Sequence, residues 1–590
     1  MPTPAPAADR ALPTRWQAAL FRLKTTVFRA RRLWREAMGG RPPWLRRDGS
    51  PAAGPVLAES RTPLYASELA AEFALQAGKV QNLRVAAGLL DGLRLGRGET
   101  FSFWRHVGRP TRRRGFAAGR ELREGCIVPS VGGGLCQLSN ALYATALDAG
   151  CEIVERHAHS RRVPGSAAEA GRDATVFWNY VDLRFRAPAD CRLEVLITRR
   201  ELVVRLRASA EAVVPIPVQT VPPPGQAASL PVAESCETCN VVACFRHPGR
   251  PDDAAGITAW LVDGWWPEFD RHLRARRRPE DWLFLPLEGR RWRLGAYRWT
   301  AESFAAVRTA PWETLGRSWR SRRLAAQGAA RQRALLGFDA ALATRYARGL
   351  PPAALHLVVS QTLLPHLWRG GALGGRTFDV LMTRLPLTAL QATLDRTAAR
   401  WPGSRTPADF RAPAALVEAE TAALAAARRW ITPHAEIARL AGGRAESLPW
   451  ELPPPSPRGA PGRDVLFPAS TLARKGAGEL AAAARALGLR VQLAGPVLED
   501  GDPWRGVNTL PARPGWAGVG ALVLPAWVEH QPRRLLLAAA AGVPVVASAA
   551  CGLEGVPGVT TVPADDPAAL AEAISRCLPA KDSLTLPVPA

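Results

Sequence analysis

The chain has 590 residues, 47% of them apolar, with 77 Lys and Arg against 52 Asp and Glu for a formal net charge of +25. Such a composition excludes a disordered or fibrous chain, bounds the organisation at roughly three or four domains, and favours anionic partners such as phospholipid surfaces or nucleotide diphosphates. Nucleic acid is not expected, because no nucleic-acid-binding motif is present, and nine cysteines scattered over this length exclude the dense disulfide framework of a small secreted domain.

The N-terminus lacks the basic, apolar and small-residue succession of a signal peptide. Within residues 1–60, Trp16, Leu20, Leu23, Val27 and Trp34 recur at helical spacing among Arg15, Arg22, Lys24, Arg29, Arg31, Arg32 and Arg35. This predicts a basic amphipathic helix, suited either to an anionic membrane face or to docking on the body of the protein. No apolar run is long enough to span a bilayer, so the expected location is cytoplasmic and peripheral to the inner membrane face. Helical periodicity from Leu69 to Leu95, a Gly- and Arg-rich patch to Gly119, and strand-like Val176–Phe185 and Leu193–Leu206 predict an α+β domain over 61–208. A Pro-rich linker over 209–232 follows, then a Cys/His cluster over 233–250.

Inside the α+β domain, Gly132-Gly133-Gly134 precede Leu135, Leu138, Leu142, Ala146 and Ala149, which fit one face of a helix that Gly150 can end. Cys136 then falls in the first helical turn. There unpaired N–H groups and the helix dipole favour thiolate over thiol. A tight turn with a small buried cysteine is the alternative.

The segments Gly78-Lys79, Asn82-Leu83, Gly98 to Trp104, Gly132 to Tyr143, Glu155 to Ser160, Asp173 to Val176 and Asn179 to Phe185 are colinear and together resemble the VanW family over about 61–187. That resemblance implies a link to the bacterial cell envelope and names no reaction. Residue types suggest more. A cysteine at a helix start, two histidines, and then acids follow the order of papain- and transglutaminase-like sites, where an imidazole takes the thiol proton and an acid orients the ring. Cys136, His159 and Asp173 or Asp182 are the candidates, with Gln137 and His157 beside them as substrate-binding groups. If His157 and His159 lie on a strand they face the same side. The alternative is a polar cluster of Glu155, Arg156 and the histidines that fixes the fold. An amide or isopeptide bond of envelope material would suit the thiol chemistry.

Cys236, Cys239, Cys244 and His247 form a C-x2-C-x4-C-x2-H cluster. Four such ligands at short spacing suit a closed, structural tetrahedral zinc site.

From 251 onwards, strand-like runs at His356–Val359, Phe378–Met382, Trp430-Ile431, Val465–Phe467, Val491–Leu493, Leu522–Leu524 and Pro544–Ala547 alternate with Ala-rich helical stretches. Two doubly wound α/β domains are predicted, over 251–445 and 446–590. Ser470 to Gly476, Gly495, Leu524-Pro525 with Glu529, and Gly542 to Ser548 resemble GT-B glycosyltransferases of the retaining, sugar-nucleotide type. The resemblance implies that Lys475, ahead of Gly476, holds a donor diphosphate with Arg474 beside it, and that Glu529 contacts the sugar. Ala469, Ser470 and Leu537 depart from the family pattern, which carries glycine, arginine and a ribose-binding glutamate there. Leucine cannot accept hydroxyl hydrogen bonds.

Two functions of different class follow. In one, the second half moves a sugar from a nucleotide donor to an envelope or natural-product acceptor. In the other, a degenerate GT-B half and the VanW-like domain bind envelope precursors as a scaffold, with cysteine hydrolase chemistry in the VanW-like domain as a further alternative.

Overall fold

The computed structural model describes residues 15–47, 54–65, 73–123, 126–159, 171–209, 256–291, 295–324, 328–404, 406–409, 411–458, 462–499 and 501–579. The chain divides into two compact units, one of Met1–Ile257 with Leu350–Leu355 and Gly370–Arg376, the other of the remainder.

The first unit opens with α1 (Arg15–Gly39), the expected basic helix, and β1 (Val56–Pro63). Because β1 crosses residue 60, the α+β domain begins earlier than the sequence suggests. Next come α2 (Phe73–Leu90), β2 (Arg94–Leu95), β3 (Thr100–Ser102), α3 (Phe103–Val107) and the hairpin β4 (Ala118–Arg123) and β5 (Cys126–Val131). The cysteine helix α4 (Leu135–Asp148) follows as expected, then β6 (Glu152–Glu155), β7 (Arg184–Arg186), β8 (Cys191–Ile197) and β9 (Glu201–Ala208). An antiparallel sheet of order β1-β9-β8-β2 and a smaller one of order β3-β7-β6 enclose an apolar core around Leu83, Phe101, Phe103, Leu142 and Phe185.

Two strand expectations are corrected. Leu193–Leu206 is a hairpin, β8 and β9, rather than one strand. Of Val176–Phe185 only the end joins a strand, because Phe177 and Val181 bond each other's backbone at 2.9 and 3.1 Å across a tight turn and the Leu183 N–H goes to the buried Asp182 carboxylate at 3.0 Å, which also takes the Trp104 N–H at 3.0 Å and the Ser102 hydroxyl at 2.6 Å. Donors used within a turn or on a carboxylate are not available to a ladder.

In the second unit, β10 (Ile257–Leu261), α5 (Pro267–Arg276), β11 (Trp282–Leu285), β12 (Ala306–Thr309), α6 (Pro311–Arg323), α7 (Gly328–Gly349), β13 (Ala354–Ser360), α8 (Leu364–Arg369), β14 (Thr377–Leu381), α9 (Leu387–Arg400), α10 (Ala414–Ala426), β15 (Arg429–Thr432), α11 (Ala435–Ala441) and β16 (Ala445–Ser447) build a seven-stranded sheet of order β12-β11-β10-β13-β14-β15-β16. A six-stranded sheet of order β19-β18-β17-β20-β21-β22 follows, from β17 (Asp464–Phe467), α12 (Ala477–Leu487), β18 (Arg490–Leu493), β19 (Asn508–Pro511), β20 (Val519–Leu524), α13 (Arg533–Ala540), β21 (Val545–Ser548), β22 (Val559–Val562) and α14 (Pro567–Cys577). In both sheets the strand order reverses beside the first strand, the doubly wound arrangement the alternating pattern predicts. The strand order places the carboxyl ends of β17 and β20 at a switch point, where such folds bind ligands.

A buried clamp joins the two sheets' domains. Arg533 at the start of α13 donates twice at 2.7 Å to Glu268 in the first turn of α5, and its guanidinium lies 5.2 and 5.4 Å from the rings of Trp266 and Trp450, which stack on each other. Glu268 also accepts the Glu451 N–H at 2.9 Å. Truncating Arg533 to alanine leaves a buried carboxylate without its cation and is expected to cost about 3–5 kcal/mol. Urea titration should show that loss as a lowered midpoint, while Arg576→Ala, which breaks only the exposed pair with Glu572, should change stability by about 0.5 kcal/mol or less.

Candidate functional site

Helix α4 starts where the glycine loop forces it to. Gly134 is its N-cap at φ 93°, and a Cβ there would stand 2.1 Å from Lys79 Cγ. Only glycine takes this conformation against that side chain. Cys136 is thus the second residue of the helix, half-buried, in the first turn, where backbone N–H groups lie ahead of the regular ladder and that of Gln137 turns back to the Gly134 carbonyl at 3.1 Å. One turn on, Ser139 Oγ donates to the Ala174 carbonyl at 2.5 Å and Asn140 Oδ1 accepts the Ala174 N–H at 2.8 Å. These two bonds lay residues 173–176 along the helix start, and Cys136 Sγ reaches the Val176 carbonyl at 4.0 Å.

Asp173, held in this way, is the acid that meets the histidine. Its Oδ2 lies 2.7 Å from His159 Nδ1 and accepts the His159 N–H at 2.7 Å, while Oδ1 accepts from Arg156 Nη2 at 2.7 Å. Cys136 also acts on His159, its hydrogen bonding and charge adding to those of Asp173 in raising the imidazole. Nδ1 is engaged by Asp173 at 2.7 Å. The cysteine, histidine and acid are thus gathered in one cluster whose geometric link is the His159–Asp173 bond.

Its electrostatics follow. Burial disfavours the imidazolium, but the bonds to Asp173 and Cys136 and the attraction of both outweigh it, holding His159 up at about 9. Burial likewise raises Asp173, and the bonds from His159 with the charges of His159 and Arg156 overcome it, bringing the carboxyl down to about 2. At neutral pH the imidazole keeps its proton beside the sulfur.

The other candidates sit elsewhere. His157 is half-exposed, with Nε2 3.4 Å from Glu155 Oε1; residues 156–159 follow β6 rather than continue it, so the shared strand face does not exist. Asp182 lies in the core, accepting from Arg184 Nε at 2.9 Å besides its backbone donors and Ser102, and it orients no imidazole. Gln137 donates to Thr62 Oγ1 at 2.9 Å and the Pro63 carbonyl at 2.8 Å, tying α4 to β1 instead of awaiting substrate. The polar-cluster alternative is thus realised in part, by Glu155 and His157. Sequence reasoning gave Arg156 no catalytic part, although it adjoins the histidines. It also passed over Lys79, whose buried ammonium is pulled down to about 8 by desolvation and by Arg120.

Cys236, Cys239, Cys244 and His247 lie outside the described residues. Among the described residues no group of three or more His, Cys, Asp or Glu is placed to hold a metal ion, and five cysteines, Cys136, Cys151, Cys191, Cys551 and Cys577, are free thiols.

At the switch point of the second sheet, Lys475 and Glu529, expected to meet a donor, pair with each other. Lys475 Nζ donates to Glu529 Oε2 and to the Val528 carbonyl, both at 2.9 Å. Burial raises Glu529, but Lys475 and the N–H groups of Gln531 and His530 bring it below the usual carboxylate range. Gly476 is required, since a Cβ would stand 2.1 Å from the Pro525 carbonyl oxygen. Arg474 is lowered by burial and lies in the field of Asp409, Glu499 and Glu529.

The surroundings are filled by protein. Half-buried His530 accepts the Leu385 N–H at 3.4 Å, and buried His434 has Nε2 3.2 Å from the Glu529 carbonyl and 3.1 Å from that of Ala550. At the start of α12, Glu479 Oε1 accepts the indole N–H groups of Trp401 at 2.9 Å and Trp527 at 3.0 Å. Leu537 lies on α13, partly exposed.

Comparison with known proteins agrees with this division. Residues 78–207 match the family model described as VanW like protein, and residues 473–579 match that of Glycosyl transferases group 1. The chain therefore carries a VanW-like domain fused to a glycosyltransferase-like module with twin parallel sheets. Vancomycin B-type resistance protein VanW of Enterococcus faecalis (strain ATCC 700802 / V583) is 34% identical over 146 residues, 24% of this chain and 53% of that protein. YoaR of Bacillus subtilis (strain 168) is 39% identical over 105 residues, 18% of this chain and 34% of that protein. The chain thus spans about half the length of the first relative and a third of the second. Among solved structures, sucrose-phosphate synthase from Thermosynechococcus elongatus has TM-score 0.31 at 15% identity, covering 55% of this chain and 89% of that one. Alr3699/HepE of Anabaena in complex with UDP and glucose has TM-score 0.28 at 13% identity, covering 55% and 90%.

A histidine raised from 6.5 to about 9 contributes stability that is full below pH 6.5 and lost as pH rises through about 9. The urea midpoint of the native chain should therefore exceed that of His159→Asn clearly at pH 6, with the gap narrowing by about pH 10. An equal gap at both would mean that the charged ring does not hold this site together.

Proposed function

We propose that the VanW-like domain is a cysteine acyl-transfer or hydrolase centre acting on an amide or isopeptide bond of cell-envelope material. The observation that carries this is the bond from His159 Nδ1 to Asp173 at 2.7 Å beside Cys136 at the start of α4, with the Ala174 backbone fastened to that helix by Ser139 and Asn140. The Cys136 thiolate, its proton resting on His159, attacks the acyl carbonyl, and the backbone N–H groups at the start of α4 stabilise the oxyanion that develops. His159 then hands that proton to the departing amine, leaving a thioester on Cys136. Water or an acceptor amine attacks the thioester, His159 takes up the attacking group's proton, and the Cys136 thiolate leaves, restoring the starting pair. Asp173 keeps the ring oriented and supports its charge, and Arg156 holds Asp173 in turn.

The test needs no natural substrate. With p-nitrophenyl acetate the full-length protein should release nitrophenolate and carry an acetyl group on the Cys136 peptide. Cys136→Ala should abolish the adduct, and Asp173→Asn should slow its formation by about 10²-fold or more. An adduct that forms equally well in Cys136→Ala sinks the proposal.

A second reading is favoured by the meeting of Lys475 and Glu529 at the switch point of the second sheet. The glycosyltransferase-like half would bind a nucleotide sugar, with Lys475, supported by Arg474, neutralising the diphosphate and Glu529 released to the sugar. Such binding requires the internal Lys475–Glu529 pair to open, and Leu537 offers no ribose contact, so recognition of a sugar diphosphate with slow or no turnover fits these residues better than fast transfer to an acceptor. Calorimetric titration of UDP- and GDP-sugars should give binding that weakens about tenfold or more in Lys475→Ala, in line with loss of one charge-assisted contact. Silence with every donor, or binding that survives the substitution, overturns it.

A further inference from the structure

Helix α1 is docked by its polar side and turns its apolar side outwards. Arg32 donates to both Glu155 oxygens, at 2.9 and 2.8 Å, and to Glu36 at 3.0 Å; Arg29 donates to the Trp178 carbonyl at 2.9 Å, and Arg184 donates to Glu36 at 2.5 Å. Thr25 and Arg32 are buried on this side. Trp16, Leu20, Leu23, Val27, Trp34 and Met38 are instead between 45% and 79% exposed. At about 100° per residue these six fall within about 40° of one line along the helix, with Thr25, Arg29, Arg32 and Glu36 on the line diametrically opposite. A helix that merely covered its own protein would bury the first stripe and expose the second.

The exposed stripe also carries its own statement of partner. Lys24, Arg31 and Arg35 flank it in solvent, and the only acid of the helix, Glu36, is turned inwards. A second copy pairing through the same face would set these like charges against each other. An anionic bilayer satisfies both components, since lipid takes the apolar side chains, tryptophans sit well at the headgroup boundary, and phosphates meet the cations. The pattern recurs on α6, where Trp312, Leu315 and Trp319 are exposed beside Arg320, Arg322 and Arg323 while Arg317 points inwards to Asp263 at 2.7 Å and Asp339 at 3.3 Å.

We propose that the outer face of α1 is a docking surface for membranes rich in anionic phospholipid, held on the first unit by the polar face of the same helix. Its anchor Glu155 immediately precedes the Arg156–His159 segment, so docking brings a bilayer to the unit that holds Cys136 and fits an acceptor itself anchored in lipid. The inference stands independently of the thiol chemistry.

Flotation of the full-length protein with vesicles tests it. Recovery is expected with mixed phosphatidylcholine and phosphatidylglycerol, falling as salt is raised, and at least about tenfold weaker with phosphatidylcholine alone. Leu20→Ser/Leu23→Ser/Val27→Ser and Lys24→Glu/Arg31→Glu/Arg35→Glu each change solvent-facing positions only, and each should weaken recovery about tenfold or more with an unchanged circular dichroism spectrum. Trp312→Ser/Trp319→Ser should give a smaller loss. No recovery with either vesicle, or recovery indifferent to both α1 variants, overturns the proposal. So does a native oligomer that the apolar variant converts to monomer, which would give this face to a second copy.

Discussion

A carboxylate withdrawn from water has to be met by donors, and this requirement shapes both functional regions of the chain. Asp173 collects a ring nitrogen, a backbone N–H and a guanidinium, and in doing so fixes the rotation of His159. Asp182 collects Ser102, two backbone N–H groups and Arg184, and in doing so helps to end what alternation alone would continue as a strand. Glu268 collects Arg533 and a backbone N–H, and fastens two α/β domains to each other. The three acids are alike in sequence and unlike in consequence, because what surrounds each decides whether it positions a reactive group, a backbone or a domain.

The thiol site depends on short local rules as much as on buried charge. The glycine loop begins α4 against Lys79, Ser139 and Asn140 draw the Ala174 backbone to the helix one turn later, and the neighbouring Asp173 arrives with it. Cysteine, acid-bearing segment and imidazole are then assembled from three stretches with few degrees of freedom left.

In the glycosyltransferase-like half, the switch point retains its lysine, glycine and first glutamate while the space around them is taken by His434, His530, Trp401 and Trp527. The internal pairing of Lys475 with Glu529 satisfies both charges, and Leu537, exposed on α13, leaves no buried polar group unpaired there.

Much of the architecture is legible from the residues in order. Period-3.6 spacing after Gly134, alternation of strand and alanine-rich helix beyond residue 250, and colinear motifs were sufficient for the cysteine helix, the twin sheets and the two family resemblances, because each is a local pattern repeated along one element. The motif order also brought Cys136, His159 and Asp173 together as candidates. What it left open was the choice of Asp173 against Asp182 and the parts of His159 and His157, and its placing of Gln137 at a substrate was wrong. Those answers depend on contacts across the fold: Asn140 with Ala174, Glu155 with Arg32 and His157, Gln137 with Thr62. The same limit applies to α1, whose sequence declares an apolar and a basic face but not which one the protein keeps. Local spacing determines the faces an element has, and only tertiary packing, by matching buried charges with donors brought from distant segments, decides where each face points.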